Sequence, residues 1–363
     1  MPSPSAATLT IDLDALAHNY GVLKAHAGGA EMAPVVKSDG YGLGAGPIAR
    51  RLWAEGARSF FVARLSEGEA LRQALGPDQP ATIYVLDGLP TGAGGRLTAA
   101  KLTPVLTSLP QVAEAQALAA QVGDMTVGLH VDTGMNRQGI TPDEARALAQ
   151  APDRLARLEV SLIMSHLGSA TDPADPRNAA QLARFRPIRA LFPHARASLA
   201  ASAGIFLGAD YRFDMVRPGV SLYGGGPEER PDPRLKAVAT LDAPILDIRN
   251  IAAGEMIGYG SKTLVERPTR AAIVAAGYSD GIIRMAKGQA RAWFADAPRP
   301  VLIVTMDLIA VDIGDTPARP GDRIELMGPH APIDDLAAAA GTVAHECLVR
   351  MSERAERVYL GAV

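Results

Sequence analysis

Cysteine is almost missing from this chain: Cys347 is the only one among 363 residues. An intrachain disulfide is therefore impossible, no thiolate cluster can hold a metal, and no metal site is expected. Cys347 itself reads as a small buried hydrophobe. Long hydrophobic runs are missing too. No uncharged apolar stretch approaches the ~18 residues of a membrane span. The opening MPSPSAATLTIDLDAL has no basic segment followed by the apolar core of an export signal. The expectation is a soluble, cytoplasmic protein with no membrane partner. Positive charge is not in excess either: 36 Lys+Arg stand against 39 Asp+Glu, giving a net charge of -3, and the arginines are scattered. Nucleic acid is not expected as a partner.

The composition that remains, 48% hydrophobic and 21% charged, is that of a globular enzyme with a large core. The length exceeds the ~100 to 200 residues of an ordinary domain. After the strand candidate TLTIDL, a helical pattern runs from Asp12 to Ala27 through Leu13, Leu16, Tyr20 and Leu23. Short apolar runs then alternate with amphipathic stretches: MAPVVKS, SFFVA, TIYVL, LTPVL, TVGLHVD, LEVSLIMSHL, ARASLA and VSLYG. About eight strand-helix units predict an α/β fold, an N-terminal (β/α)8 TIM-like barrel over residues 8–232. GGGPEERPDPRLK reads as a linker. Beyond it VATLDAPILDIRNI, TRAAIVAAGY, ARAWFA, RPVLIVTMDLIAVDI and DRIELMG predict a mostly β C-terminal domain over 233–363, together with the N-terminal strand near 1–12.

One lysine ends an apolar segment in PVVKSDGYGLGAG. Its glycines at 40, 42, 44 and 46 fit neither G-x-G-x-x-G nor GxxxxGK[ST], so a nucleotide fingerprint fails on spacing. A turn with a solvent-reaching lysine is one reading. The other places Lys37 at the C-terminal mouth of a barrel strand. There desolvation disfavours its cation and makes it a nucleophile towards an aldehyde cofactor, with Tyr41 in reach of a cofactor phosphate. Companions bear on the choice. Arg137 in HVDTGMNRQG follows another strand and suits an anionic oxygen. His166 in SLIMSHLGS, Ser202 in SLAASAG and Arg217 in FDMVRPGVSLYG also stand at strand ends. Each alone is unremarkable for a core histidine, a loop serine or a structural arginine. Five such groups on separate strand ends are how barrels assemble an active site.

In order and spacing, IDLDALAHNY, VVKSDGYGLG, DTGMNRQG, SHLGSATD, ASAG, VRPGVSLYG, GYSDGIIR, TMD and the terminal RVY resemble the alanine racemase family across nearly the whole chain. The resemblance implies a barrel with a C-terminal β domain, pyridoxal 5'-phosphate as cofactor, alanine as substrate and a homodimer with shared active sites. It implies that Lys37 is the Schiff-base lysine and one base, and that Tyr278, from the partner subunit, is the base for the opposite face. His166 is implied to lie behind that tyrosine and bond Arg217, and Arg217 to donate to the pyridine nitrogen. Arg137 is implied near the cofactor oxygen and the substrate carboxylate, and Met306 near the substrate. Tyr41, Ser202 and Gly219 are implied to hold the phosphate, and Tyr259 to stand at the substrate entrance.

Racemisation removes a proton from one face of a carbon and returns one to the other, which suits two opposed bases. Lysine and tyrosine both have ordinary pKa values of roughly 10, so the tyrosine needs poising by cationic neighbours such as the His166 and Arg217 pair. The chain departs from the family at Asp39 and Leu43, and at His130, where many members carry a carbamylated lysine; His130 or a bound anion is expected to orient Arg137. It departs again at His345, which stands where a phosphate-touching tyrosine is usual. A racemase for other or more amino acids is the nearest alternative. A decarboxylase on the same architecture or a non-catalytic cofactor-binding protein is more distant.

Overall fold

The computed structural model describes residues 6–259, 263–351 and 353–361. They divide into two compact units, one of residues 20–40 and 44–222, the other of residues up to 19, 41–43 and from 223 onward. No helix among the described residues is long and apolar enough to cross a membrane.

The strands in chain order begin with β1 (Thr8–Asp12), which belongs to the second unit, and continue through the first with β2 (Glu31–Met32), β3 (Ser59–Val62) and β4 (Thr82–Val85). There follow β5 (Thr103–Leu106), β6 (Met125–His130), β7 (Leu158–Met164), β8 (Arg196–Ser198) and β9 (Met215–Val216). Strands β3 to β8 pair in parallel in sequence order, and β2 pairs in parallel with β9. Single parallel bridges, Val35 to Phe61 and Ala201 to Arg217, carry the pairing onward and close a ring of eight. All four residues of β3 and of β5 are buried, as expected of strands covered on both faces. Helices wrap the outside. The TPDE turn shows why they start where they do: Thr141 and Glu144 form a reciprocal capping box with Pro142 in the first turn.

The eighth strand lies earlier than VSLYG, which forms a short 3-10 turn at Val220–Tyr223. Pro218 lacks an N–H, and the amides of Gly219 and Ser221 both point at Ser202 Oγ, so no ladder can continue there.

In the second unit the strands are β10 (Ala239–Ile251), β11 (Thr269–Val274), β12 (Arg291–Phe294), β13 (Ala297–Val304), β14 (Ile309–Asp312), β15 (Arg323–Met327) and β16 (Glu356–Leu360). The sheet runs β11-β14-β13-β12-β15-β10-β1-β16, and a further β10 to β11 pairing closes six of these strands on themselves. That is possible because β10 is 13 residues long and shifts register between Ile245 and Asp247. Its first half serves β1 and β15, its second half β11. The run RPVLIVTMDLIAVDI is two strands, not one. Thr305 folds it back by exchanging hydrogen bonds with Leu308, which leaves Met306 and Asp307 at the tip of a hairpin.

Asp334, on the helix Ile333–Ala340, is buried. One oxygen accepts from Gly226 N at 2.9 Å, and Oδ1 has no partner among the described residues. Burial raises its pKa against the opposing hydrogen bond from Gly226, and Asp335, Glu229 and Asp232 add repulsion. A folded-state pKa above the unfolded value means the ionised form costs stability at neutral pH, and the cost fades as pH falls through the folded pKa. Asp334→Asn is therefore expected to raise stability towards urea at pH 7, with an advantage that shrinks on approach to pH 4. An advantage that grows with acid would contradict this account.

Candidate active site

Parallel strands present their C-terminal ends at one mouth of the barrel unit, and that mouth collects most of the polar groups singled out from the sequence. Lys37 follows β2, His130 ends β6, Ser165 and His166 follow β7, Ser198 ends β8, and Arg217 follows β9.

Arg217 is 3% exposed. Its Nη1 donates to Ser198 Oγ at 2.5 Å, its Nη2 donates to the Ser165 carbonyl at 2.7 Å and approaches His166 Nδ1 at 3.3 Å. Ser198 Oγ passes its own proton to the Met215 carbonyl. None of these partners is a carboxylate. Burial brings the Arg217 pKa down to about 9, which still leaves the guanidinium charged at neutral pH.

A guanidinium can only donate, so His166 Nδ1 is an acceptor and the imidazole proton sits on Nε2. Burial, then repulsion from Arg217, Arg137, His130 and Lys37, holds the His166 pKa well below its usual value. The imidazole is neutral. The cationic character expected of the His166 and Arg217 pair thus comes from Arg217 alone, and His166 offers an N–H. Gln181 fixes the segment, donating to the His166 carbonyl and accepting from Gly168 N, each at 2.8 Å.

Lys37 is half-buried, and desolvation, followed by repulsion from Arg137, lowers its pKa against the opposing pull of Glu67 and Asp87. The chain after it turns through four consecutive left-handed residues, Ser38, Asp39, Gly40 and Tyr41, with φ of 53°, 54°, 62° and 57°. Each side-chain-bearing residue there costs roughly 1–2 kcal/mol. The turn is held by Glu67, which accepts from Ser38 N at 2.9 Å. It is also held by Asp39, whose carboxylate accepts from Ala45 N at 2.8 Å at the head of the helix Ala45–Ala54. Aspartate and asparagine both tolerate this backbone and both can cap, which explains why Asp39 serves.

Arg137 is exposed at the tip of a loop that Asp132 gathers by accepting from Gly134 N and Met135 N. His130 is buried with Nδ1 unpartnered. Burial, then Arg217 and Arg137, lowers its pKa to about 4. His130 makes no hydrogen bond to Arg137 among the described residues, so the two interact through charge alone. Ser202 Oγ, also buried, accepts from Gly219 N at 2.9 Å and Ser221 N at 3.3 Å, and the buried Ser221 Oγ beside it has no partner among the described residues. Two amides and two hydroxyls so gathered match the needs of a phosphate group.

Two further groupings lie in the other unit. Tyr41 is buried and packs on Tyr223 and His345, ring centroids 4.6 and 5.9 Å away, and burial pushes its phenol pKa up. Tyr259, Tyr278 and Met306 line one cleft of about 440 Å³ together with Arg284 and Lys287. Tyr278 is 41% exposed and Met306 53%.

The comparisons with known proteins agree along the chain. Family models described as "Alanine racemase, N-terminal domain" and "Alanine racemase, C-terminal domain" match residues 11–227 and 238–359. The chain belongs to the alanine racemase family. An alanine racemase of Methylobacterium sp. is 44% identical over 363 residues, 99% of each chain. A biosynthetic alanine racemase of Agrobacterium fabrum is 42% identical over 369 residues, 98% of this chain and 94% of that one. The crystal structure of alanine racemase from Bartonella henselae with covalently bound pyridoxal phosphate has a TM-score of 0.91 at 34% identity, over 98% of this chain and 100% of that chain. As a member of the alanine racemase family the protein is an amino-acid racemase, an isomerase.

Sequence reasoning missed Glu67, Ser165, Ser198 and Ser221. Ser165 carried a signal, a polar residue closing the apolar run LIM in LIMSH; Ser198 in RASLA and Ser221 in GVSLY follow only single apolar residues. Glu67 carried only a helix-start pattern.

Two outcomes follow from this geometry. Asp39→Asn should leave stability nearly unchanged, whereas Asp39→Ala should lose roughly 1–2 kcal/mol in denaturant titration. The His166 imidazole should show no protonation between about pH 6 and 8 by nitrogen NMR, since its pKa lies well below 6.5; a midpoint in that window would contradict the neutral assignment.

Proposed function

We propose that the protein interconverts L-alanine and D-alanine with pyridoxal 5'-phosphate, using Lys37 and Tyr278 as opposed bases. The observation that carries the reading is Arg217: a buried cation on neutral partners, at the mouth of a barrel, asks for an acceptor. An unprotonated pyridine nitrogen is such an acceptor, and a charged guanidinium donates to it without surrendering its proton.

The residues at the mouth fit the cofactor. Ser202 Oγ with the amides of Gly219 and Ser221, and the unpartnered Ser221 hydroxyl, would hold its phosphate, and Tyr41 is assigned to the same phosphate by the family pattern. His345, where a tyrosine is usual, packs on Tyr41. When bound, the cofactor supplies an aldehyde for an amine and a ring that withdraws electrons from the substrate α-carbon. The chain supplies the rest. Lys37, its ammonium disfavoured by burial and by Arg137, takes or returns a proton on one face. Tyr278 does the same on the other. His166, through its Nε2 proton, stabilises the Tyr278 oxygen when the phenol proton has left, with Arg217 behind it. Arg137 receives the substrate carboxylate, Met306 lies near the substrate, and Tyr259 stands at the entrance.

Tyr278 serves the partner subunit in this reading, so the working form is a homodimer with shared sites. The exposure of Tyr259, Tyr278 and Met306 around one cleft supports a surface meant to be covered. The product D-alanine serves peptidoglycan synthesis, and the reverse reaction serves alanine catabolism.

With pyridoxal phosphate and L-alanine in deuterated water, the protein should lose optical rotation while deuterium enters the α-position. Release of carbon dioxide, or no change, would sink the proposal. Lys37→Ala should abolish the absorbance band of bound cofactor. Tyr278→Phe should keep that band and lose about 100-fold or more in turnover. An active monomer in sedimentation would contradict the shared site.

A further inference from the structure

The aim of a base matters as much as its pKa. Proton transfer needs a heavy-atom approach of about 2.6–3.2 Å, yet the Tyr278 ring is 41% exposed, and its hydroxyl has no hydrogen bond among the described residues. Within its own unit the aim of the phenol therefore depends strongly on the backbone beneath it.

That backbone is held from two sides. The amides of Tyr278 and Ser279 donate to the carbonyls of Thr305 (3.0 Å) and Met306 (3.1 Å). Gly277 lies so close to this hairpin that an added Cβ would stand 2.2 Å from the Met306 oxygen. On the other side is Asp280, 3% exposed. Its Oδ2 accepts from Gly277 N at 2.7 Å. Both of its oxygens also receive the fork of Arg354, Nε to Oδ1 at 2.8 Å and Nη2 to Oδ2 at 2.5 Å. The remaining arm, Nη1, reaches Asp307 Oδ1 at 2.5 Å. Asp307 directly follows Met306. One planar guanidinium therefore ties the turn bearing Tyr278 to the hairpin tip bearing Met306.

We propose that Arg354, with Asp280 and Asp307, is a positioning residue for Tyr278, fixing the phenol relative to Met306 and so setting the rate of proton transfer on one face of the substrate only. The inference rests on the reading of Tyr278 as a base. A bidentate fork with a third arm constrains position and angle at once, which a lysine at the same place would not do.

Two kinds of variant separate positioning from folding. Asp307→Asn cuts one arm at a largely exposed carboxylate and leaves the fork on Asp280 intact. Asp280→Asn with Arg354→Met removes the buried carboxylate and its exposed partner together, so no unpaired charge remains inside. In the cofactor-loaded protein each is expected to keep KM and lower kcat, the paired change by about 10- to 100-fold. Amide hydrogen exchange at Tyr278 and Ser279 should quicken, with or without cofactor. The decisive measurement is the isotope effect with α-deuterated L- and D-alanine. If only the Tyr278 step has slowed, the effect rises for the enantiomer whose proton Tyr278 removes and falls for the other. Isotope effects that stay level or move together, or a lower melting temperature with unchanged kcat, would overturn the proposal. Tyr278→Phe is measured alongside. If it leaves racemisation intact, the underlying reading of Tyr278 fails; if it abolishes turnover while the isotope effects of the clamp variants stay level, the clamp alone fails.

Discussion

The guanidinium of Arg217 is the group on which the barrel mouth is built. Removing a cation from water costs several kcal/mol even after relaxation, and here no carboxylate offsets it. The cost is met instead by oriented neutral acceptors: the Ser165 carbonyl, the Ser198 hydroxyl and His166 Nδ1. They come from the ends of β7 and β8, so the arginine fixes how those strand ends meet β9. The same bonds decide the His166 tautomer and, through it, which face of the imidazole carries a proton. A lysine would keep the charge and lose the planar fork that makes these contacts together.

The charge spreads further than its hydrogen bonds. Arg217 and Arg137 both depress His130 and His166, and Arg137 depresses Lys37. The charged forms of all three groups are thereby disfavoured, and the two imidazoles are held neutral. A mouth arranged in this way is electropositive without being acidic, which suits an anionic cofactor and a carboxylate substrate while leaving an amine free to act as a base.

How much of this could be read from the chain depended on the range of the interaction. The alternation of apolar runs and helical stretches exposed the barrel because each unit is local, and TPDE marked a helix start within four residues. The two-residue strands β2 and β9 were harder, since their pairing is with each other across the whole unit. VSLYG looked like a strand because its residues are apolar, while the cause of its turn lies at Ser202. Lys37, His166, Ser202 and Arg217 could be singled out because polar residues ending apolar runs stand out. Ser165 fits the same pattern, but it and Ser198 gain meaning only through Arg217, 52 and 19 residues away. The division of RPVLIVTMDLIAVDI into a hairpin depended on one threonine hydroxyl that no hydrophobic pattern reveals.

The left-handed turn after Lys37 has a consequence for how the lysine is held. Four successive residues there occupy a backbone region that the unfolded chain rarely visits, and three of them have side chains that disfavour it. Asp39 caps the helix that begins just after it, but Glu67 comes from the next β-α unit. The turn's supports, Glu67 on one side and the head of the helix Ala45–Ala54 on the other, must be in place before it is worth adopting. The lysine is therefore set by the neighbouring β-α unit, and whatever loosens that unit also frees the amine.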